Sequence, residues 1–231
     1  MACHAHSSFV EAIRNTWLPL VPKGKCEVKF FFGAGATRSP QKDEVFLNCE
    51  DDYNHLPKKV QSIFRYAYDQ GYDFVFKLDC DVLLKPEQFF SYNFIVWDYI
   101  GGGAASDGSP EVQRTPWGFC YMLSKRALEI ILRVPLPEEE NSTHDKSCLD
   151  YAFNDEYWVA NILHQHGIYL HVDPHYHLRT EVSDPNSAWK ERVLPEGVSA
   201  ICVHIHQEHS RPISDSVKEF YRLAEEHLVY G

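Results

Sequence analysis

The run Phe74-Val75-Phe76-Lys77-Leu78-Asp79-Cys80-Asp81-Val82-Leu83-Leu84 is apolar except for one lysine and two aspartates spaced two apart. Such a run favours a buried strand, and carboxylates in its middle lose their hydration unless a partner offsets that loss. A divalent cation is the simplest partner for two such acids, because hard cations take carboxylate oxygens. Alternation along a strand puts Asp79 and Asp81 on one face and Cys80 on the other. A bend at the strand end then lets one acid bind metal directly and the other through water. The competing reading is a pair of acids that end a strand at the surface.

The flanking sequence predicts where this run sits. Glu27 to Phe32 reads as a buried strand closing at Gly33-Ala34-Gly35, and Val45 to Asn48 as a second short strand. Leu56 to Gln70 places Val60, Ile63, Phe64 and Ala67 on one helical face before Gly71 stops it. Strand, helix and strand in this length make a parallel crossover unit, and ligands of such sheets collect outside the carboxyl ends of the strands, where Asp81 falls. Elsewhere the pattern predicts helices at Val10 to Trp17, Pro86 to Tyr92, Lys125 to Leu132, Asp155 to His166 and Asp215 to His227. It predicts strands at Ile95 to Ile100, Trp117 to Leu123 and Ala200 to Ile205, with loops at Pro135 to Cys148 and Asp184 to Glu196. Gly101-Gly102-Gly103 marks a backbone that closely approaches something, or a plain turn. No repeat or linker divides the chain. The expectation is one α/β domain over residues 1–231, a single Rossmann-like mixed sheet flanked by helices.

With 231 residues and 44% apolar content the chain can bury a full core. Its net charge of -11 opposes a nucleic-acid backbone as partner but leaves room for a nucleotide diphosphate held through a cation. Seven cysteines without a Cys-x-x-Cys give neither a zinc-ribbon pattern nor a clear disulfide framework. No stretch of about 18 apolar residues is present, so no membrane span is expected in this chain. Met1 to Ser8 also lacks the apolar region of a signal peptide. A cytoplasmic location follows if the chain is complete, and a secretory-lumen location if an anchor has been removed. Asn141-Ser142-Thr143 is an acceptor triplet for N-glycosylation.

Several motifs, in order, resemble the inverting beta-1,3-glycosyltransferases, a family that includes galactosyl- and N-acetylglucosaminyltransferases and the Fringe proteins. Arg14-Asn15-Thr16-Trp17 is similar to its Arg-x-Thr-Trp signature, and Phe30-Phe31-Phe32-Gly33 to the strand that follows. Asp51-Asp52-Tyr53-Asn54-His55-Leu56-Pro57-Lys58-Lys59 resembles its Asp-x-Tyr-x-Asn-Leu-Thr-x-Lys segment, with histidine and proline as departures. Lys77-Leu78-Asp79-Cys80-Asp81-Val82 is similar to its Lys-x-Asp-Asp-Asp-Val metal motif with cysteine in the middle. Trp117-Gly118-Phe119-Cys120-Tyr121-Met122-Leu123-Ser124 resembles its Gly-x-x-Tyr-x-Leu-Ser strand, and Asp155-Glu156-Tyr157-Trp158-Val159-Ala160 its Glu-Asp-Val-x-x-Gly motif. The family's first strand, which precedes the arginine signature and helps bind the nucleotide, is missing or divergent here.

The resemblance implies a GT-A type fold and a UDP-sugar donor bound through Mn2+ or Mg2+, with a glycan hydroxyl as acceptor. It implies transfer of a hexose or N-acetylhexosamine in a beta-1,3 linkage. Asp81 is the first direct metal ligand it points to, Asp79 reaches the ribose or a metal-bound water, and His204 is the distant ligand, with His206 competing. Arg14, Lys77, Asp79, Tyr53 and Gly102 fall on the nucleotide-sugar side. Glu156, or Asp155 beside it, is the base that takes the acceptor proton; the competing reading is two first-turn acids favoured by a helix dipole. Arg14 is otherwise a surface arginine, and Lys77 a structural counter-ion for one aspartate. Trp117 is an acceptor-stacking residue or core. Two rival functions stand beside transfer. One is an inactive sugar- or nucleotide-binding module of the same fold. The other is a zinc metallohydrolase built from the histidine clusters at 4 and 6, at 171, 175 and 177, and at 204, 206 and 209, none of which has the His-Glu-x-x-His spacing.

Overall fold

The computed structural model describes residues 1–103, 116–136, 155–173, 175, 201–205 and 212–229. Over these the chain is an α/β fold of mixed sheets flanked by helices. Helix α1 (Ser7–Asn15) leads into strands β1 (Phe30–Phe32) and β2 (Glu44–Phe46), which pair in parallel. Helix α2 (Leu56–Asp69) follows, ended by Gly71 at φ +81°, a conformation in which a β-carbon would be strained. Then come β3 (Phe74–Leu78), β4 (Val82–Leu84), α3 (Pro86–Ser91), β5 (Tyr99–Gly103), β6 (Pro116–Ser124) and α4 (Lys125–Ile131). The remaining elements are α5 (Asp155–Gln165), β7 (His171–Val172), β8 (Cys202–His204) and α6 (Ile213–Ala224).

The central sheet has the order β3-β6-β5-β7, with antiparallel pairs except for parallel β5 and β7. Alternation along β6 divides the core. Tyr121 and Leu123 face a cluster with Phe64 of α2, Leu128 of α4 and Val159 of α5, while Cys120 and Met122 face a cluster with Phe9 and Ile13 of α1, Leu83 of β4 and Phe220 of α6. Each helix therefore buries its apolar stripe against one face of the same sheet, the driving force being the removal of that surface from water.

The described strands form three sheets rather than the single one expected. Two physical breaks account for this. The chain bends at Asp79-Cys80-Asp81, so β4 leaves β3 and pairs antiparallel with β8. The β1–β2 ladder is not hydrogen-bonded to β3; a cavity of about 470 Å³ is lined by Phe30 and Phe31 on one side and Phe74 to Asp79 on the other. Met1 is among its lining residues, its amine donating to Leu78 O, and the next residue's N–H, that of Ala2, donates to Phe31 O at 3.1 Å. The crossover unit expected from strand, helix and strand thus has its elements in place without a direct ladder between its strands.

Most element positions match the sequence pattern to within a few residues. The strand expected at Ile95 to Ile100 is the main difference. Phe94–Val96 is a single 3-10 turn with Ile95 and Val96 exposed, and the strand starts at Tyr99, where Leu123 becomes available as a partner. The expected loop at Asp184 to Glu196 and nearly all of that at Pro135 to Cys148 lie outside the described residues.

Candidate functional site

The carboxyl end of β3 is where charged side chains converge. Asp79 N–H donates to Phe119 O at 2.9 Å, and Val82 N–H returns to Asp79 O at 3.3 Å, which closes the turn. Cys80 points into the core, while both flanking carboxylates remain partly open to solvent. The bend expected at this strand end is therefore present, and it sets the two acids in different surroundings.

Asp81 faces His204, Oδ2 lying 3.5 Å from Nε2. The β4–β8 ladder creates this pair: Val82 stands opposite His204, and Ile205 N–H donates to Asp81 O at 2.9 Å. The His204 ring is stacked on Phe119 with centroids 4.7 Å apart, which fixes its plane. Burial alone would raise the Asp81 carboxyl, but the charge of His204 and the hydrogen bond from it outweigh that and hold it below the usual range.

Asp79 is tied to the other side of the site through Lys77, which is 4% exposed. Its Nζ lies 3.0 Å from Asp79 Oδ1 and 3.6 Å from Asp155 Oδ2, and it donates to Gly118 O. Burial lowers an ammonium, yet the charges of Asp155 and Asp79 prevail here and leave Lys77 raised. Asp79 is pushed up by desolvation against the pull of Lys77, and its buried Oδ1 makes no well-aligned hydrogen bond despite the ion pair.

Helix α5 begins at this point. Asp155 is buried and accepts a hydrogen bond from the Tyr121 hydroxyl at 2.9 Å, so between Tyr121 and Lys77 its carboxylate is held in place. Glu156, one residue on, is only half-buried. Burial and then the charge of Asp155 push its carboxyl up to about 7. It packs over Gly118, where a β-carbon would stand 2.8 Å from Oε2 and 2.9 Å from the carboxyl carbon. The absence of a side chain at Gly118 is what gives this carboxylate its room.

The predicted residues separate into two groups. Lys77, Asp79, Asp81, Asp155, Glu156 and His204 are joined by the contacts above. Arg14 instead lies over the ring of Phe30 and bonds Asp43 at 2.7 and 2.9 Å, Glu44 at 2.9 Å and Glu11 at 2.5 Å. Tyr53 is 67% exposed on the 3-10 turn Tyr53–His55, whose Asp52 side chain caps it. Gly102 lies in β5 between the pairs Gly101 to Tyr121 and Gly103 to Pro116, where the register shifts. His206, and the side chain of Trp117, lie outside the described residues. Two residues not predicted as site members belong to it: Gly118 and Tyr121. They are the fixed letters of the Gly-x-x-Tyr spacing, which was the available signal.

Among the described residues no group of three or more His, Cys, Asp and Glu side chains is arranged to hold a metal ion. For the histidine clusters this means no described zinc centre: His4 meets Gly33 O, and His171 and His175 lie by Asp173. The Asp81–His204 pair offers one carboxylate and one imidazole. That donor set suits a cation brought in on phosphates, since such ions take one or two carboxylates and draw their other ligands from substrate and water.

Residues 10–94, from α1 through α3, match the family described as Galactosyltransferase. A stretch of 96 residues is 29% identical to a protein of Arabidopsis thaliana named "Probable beta-1,3-galactosyltransferase 13", covering 33% of this chain and 28% of that relative. This chain is galactosyltransferase-like over that segment. The galactosyltransferase-like part contains Arg14, Tyr53, Lys77, Asp79 and Asp81 but not Gly118, Asp155, Glu156 or His204. The second half of the site therefore rests on geometry: strands β6 and β8 and helix α5 bring its residues to the turn that the matched segment supplies. No helix among the described residues is long and apolar enough to cross a membrane.

Proposed function

We propose that this chain is a metal-dependent inverting glycosyltransferase that moves a hexose or N-acetylhexosamine from a UDP-sugar to a carbohydrate hydroxyl, forming a beta-1,3 linkage. The observation that carries the reading is the poise of Glu156. Its carboxyl is raised to about 7 and is linked through Gly118 and Lys77 to the Asp79 turn. A general base works best with a pKa near the operating pH, and one carboxylate suffices for a single displacement with inversion.

Each residue then has a role. Glu156 takes the proton of the acceptor hydroxyl as the oxygen attacks the anomeric carbon from the face opposite the diphosphate. Asp155, held by Tyr121 and Lys77, keeps Glu156 from ionising too early by its own charge. Asp81 and His204 would hold Mn2+ or Mg2+, with Asp79 beside them to orient the ribose or a water; such a cation would supply Lewis-acid stabilisation of the diphosphate leaving group. Lys77, itself buried, is the positive charge set between Asp79 and Asp155.

The test is UDP release from a panel of UDP-sugars, with and without an acceptor sugar, in the presence and absence of Mn2+, for the chain and for Asp81→Ala. Metal-dependent release for one donor, lost in the variant while the fold is retained, is the expected result. Folded protein that neither binds UDP nor releases it with any donor overturns the proposal and favours a binding module.

A further inference from the structure

We propose that Cys120 and Cys202 are a disulfide-forming pair that ties β6 to β8 when the chain folds in an oxidising thiol buffer. The two Sγ atoms lie 3.4 Å apart, both side chains are fully buried, and both thiols are free in this structure. They are 82 residues apart in the chain and sit on strands of different sheets, β6 in the central sheet and β8 paired with β4. No described backbone ladder joins those sheets, so the sulfur contact is one of the places where they meet inside the core. A disulfide requires about 2.05 Å between sulfurs, a closure of about 1.4 Å from the observed contact that small side-chain rotations can supply.

The oxidant is a small-molecule disulfide of the glutathione type. One cysteine thiolate attacks a glutathione sulfur, forming a mixed disulfide and releasing one glutathione thiolate; the second cysteine thiolate then displaces the other glutathione. One sulfur–sulfur bond is broken and one formed, two electrons pass from the cysteines to glutathione disulfide, and the two thiol protons end on two glutathione thiols. Because both cysteines are buried in the folded chain, the exchange belongs to folding, before β6 and β8 close over the sulfurs. The product joins the strand bearing Gly118 and Phe119 to the strand bearing His204, whose ring already stacks on Phe119. A cross-link closing so long a loop restricts the unfolded chain and so raises the unfolding midpoint.

The experiment refolds the full chain from denaturant in mixed oxidised and reduced glutathione, alkylates the remaining thiols with iodoacetamide and maps the peptides by mass. Expected are one peptide pair joined through Cys120 and Cys202, and a urea midpoint that falls when dithiothreitol is added. In Cys202→Ala, Cys120 is recovered alkylated, and the double variant Cys120→Ala/Cys202→Ala shows no response to dithiothreitol. Recovery of both cysteines alkylated from oxidatively refolded wild type overturns the proposal. So does finding either one joined to glutathione or to another cysteine such as Cys148. Should the alanine variants not fold, the wild-type peptide map alone decides between these outcomes.

Discussion

Glu156 and Glu44 are two glutamates whose carboxyl groups the fold drives in opposite directions. At the β1–β2 edge, Glu44 accepts from Arg38 at 2.6 and 2.8 Å, from Arg14 at 2.9 Å and from Gln41 N–H at 2.9 Å, and its carboxyl is lowered to about 2, first by Arg38. In the first turn of α5, Glu156 is partly buried beside another acid and is raised to about 7. The cation beside that acid pair, Lys77, is already engaged by Asp79 and Asp155. One region uses its charges to close a strand edge; the other holds them in a state that costs stability, as sites of proton transfer do.

The largest expected effect comes from removing the cation in the costly region. Lys77→Met leaves Asp79 and Asp155 buried near one another without a counter-charge, and breaking a buried pair from one side costs about 3–5 kcal/mol. Urea denaturation near pH 7 measures it, and a loss below about 1 kcal/mol would show that Lys77 is not the counter-ion of these acids. Lowering the pH should recover part of the loss, because the two orphaned carboxylates can then take protons.

The second effect tests the opposite signs directly. A carboxyl raised from its unfolded value toward 7 binds more protons folded than unfolded, so its contribution falls as pH rises from about 4.5 to about 7. Glu156→Gln is therefore expected to stabilise the chain above pH 7, by on the order of 2–3 kcal/mol, with the difference vanishing below about pH 4.5. Glu44→Gln should do the reverse. The stability contributed by Glu44 is present above about 4.5 and is lost as pH falls through about 2, so the variant is weaker at neutral pH and approaches the parent in acid. Midpoints of thermal unfolding for both variants between pH 3 and pH 8 decide the matter. Parallel curves would refute the contrast.

How much of this was legible in the sequence follows the same division. The Asp79 and Asp81 motif, the strand before it and the helix at Asp155 were readable, because each depends on local pattern; His204 was pointed to only by the family resemblance, with His206 competing. Arg14 and Lys77 were both placed on the nucleotide side, with a surface arginine as the alternative for Arg14 and a counter-ion for one aspartate as the alternative for Lys77. The structure sends one to an acidic clasp at Asp43 and Glu44 and buries the other between two aspartates. Sequence spacing carries no information on which of several distant acids a long cation will meet. The pattern also predicted one sheet, since it cannot register a cavity between β1 and β3 or the change of partner at a two-residue bend. Which of Asp155 and Glu156 is held and which is open depends on Tyr121 and Gly118, on a strand more than 30 residues away.

That dependence gives the smallest effect and the sharpest. Gly118→Ala adds one methyl group, placed 2.8 Å from Glu156 Oε2, closer than such atoms pack. The obstacle is the far end of a side chain rather than backbone, so Glu156 can swing aside and the fold should survive with less than about 1 kcal/mol lost. Catalysis is less tolerant: displacing a base by about 1 Å can cost up to about a hundredfold. The expected result, on the proposed transfer reaction, is a kcat lowered at least about tenfold with KM for the donor little changed, since the donor side of the turn is untouched. An unchanged kcat would mean that Glu156 does not act from the position it holds over Gly118. A proportionate loss of folding stability would mean that Gly118 serves packing, and the two regions would then differ in charge but not in purpose.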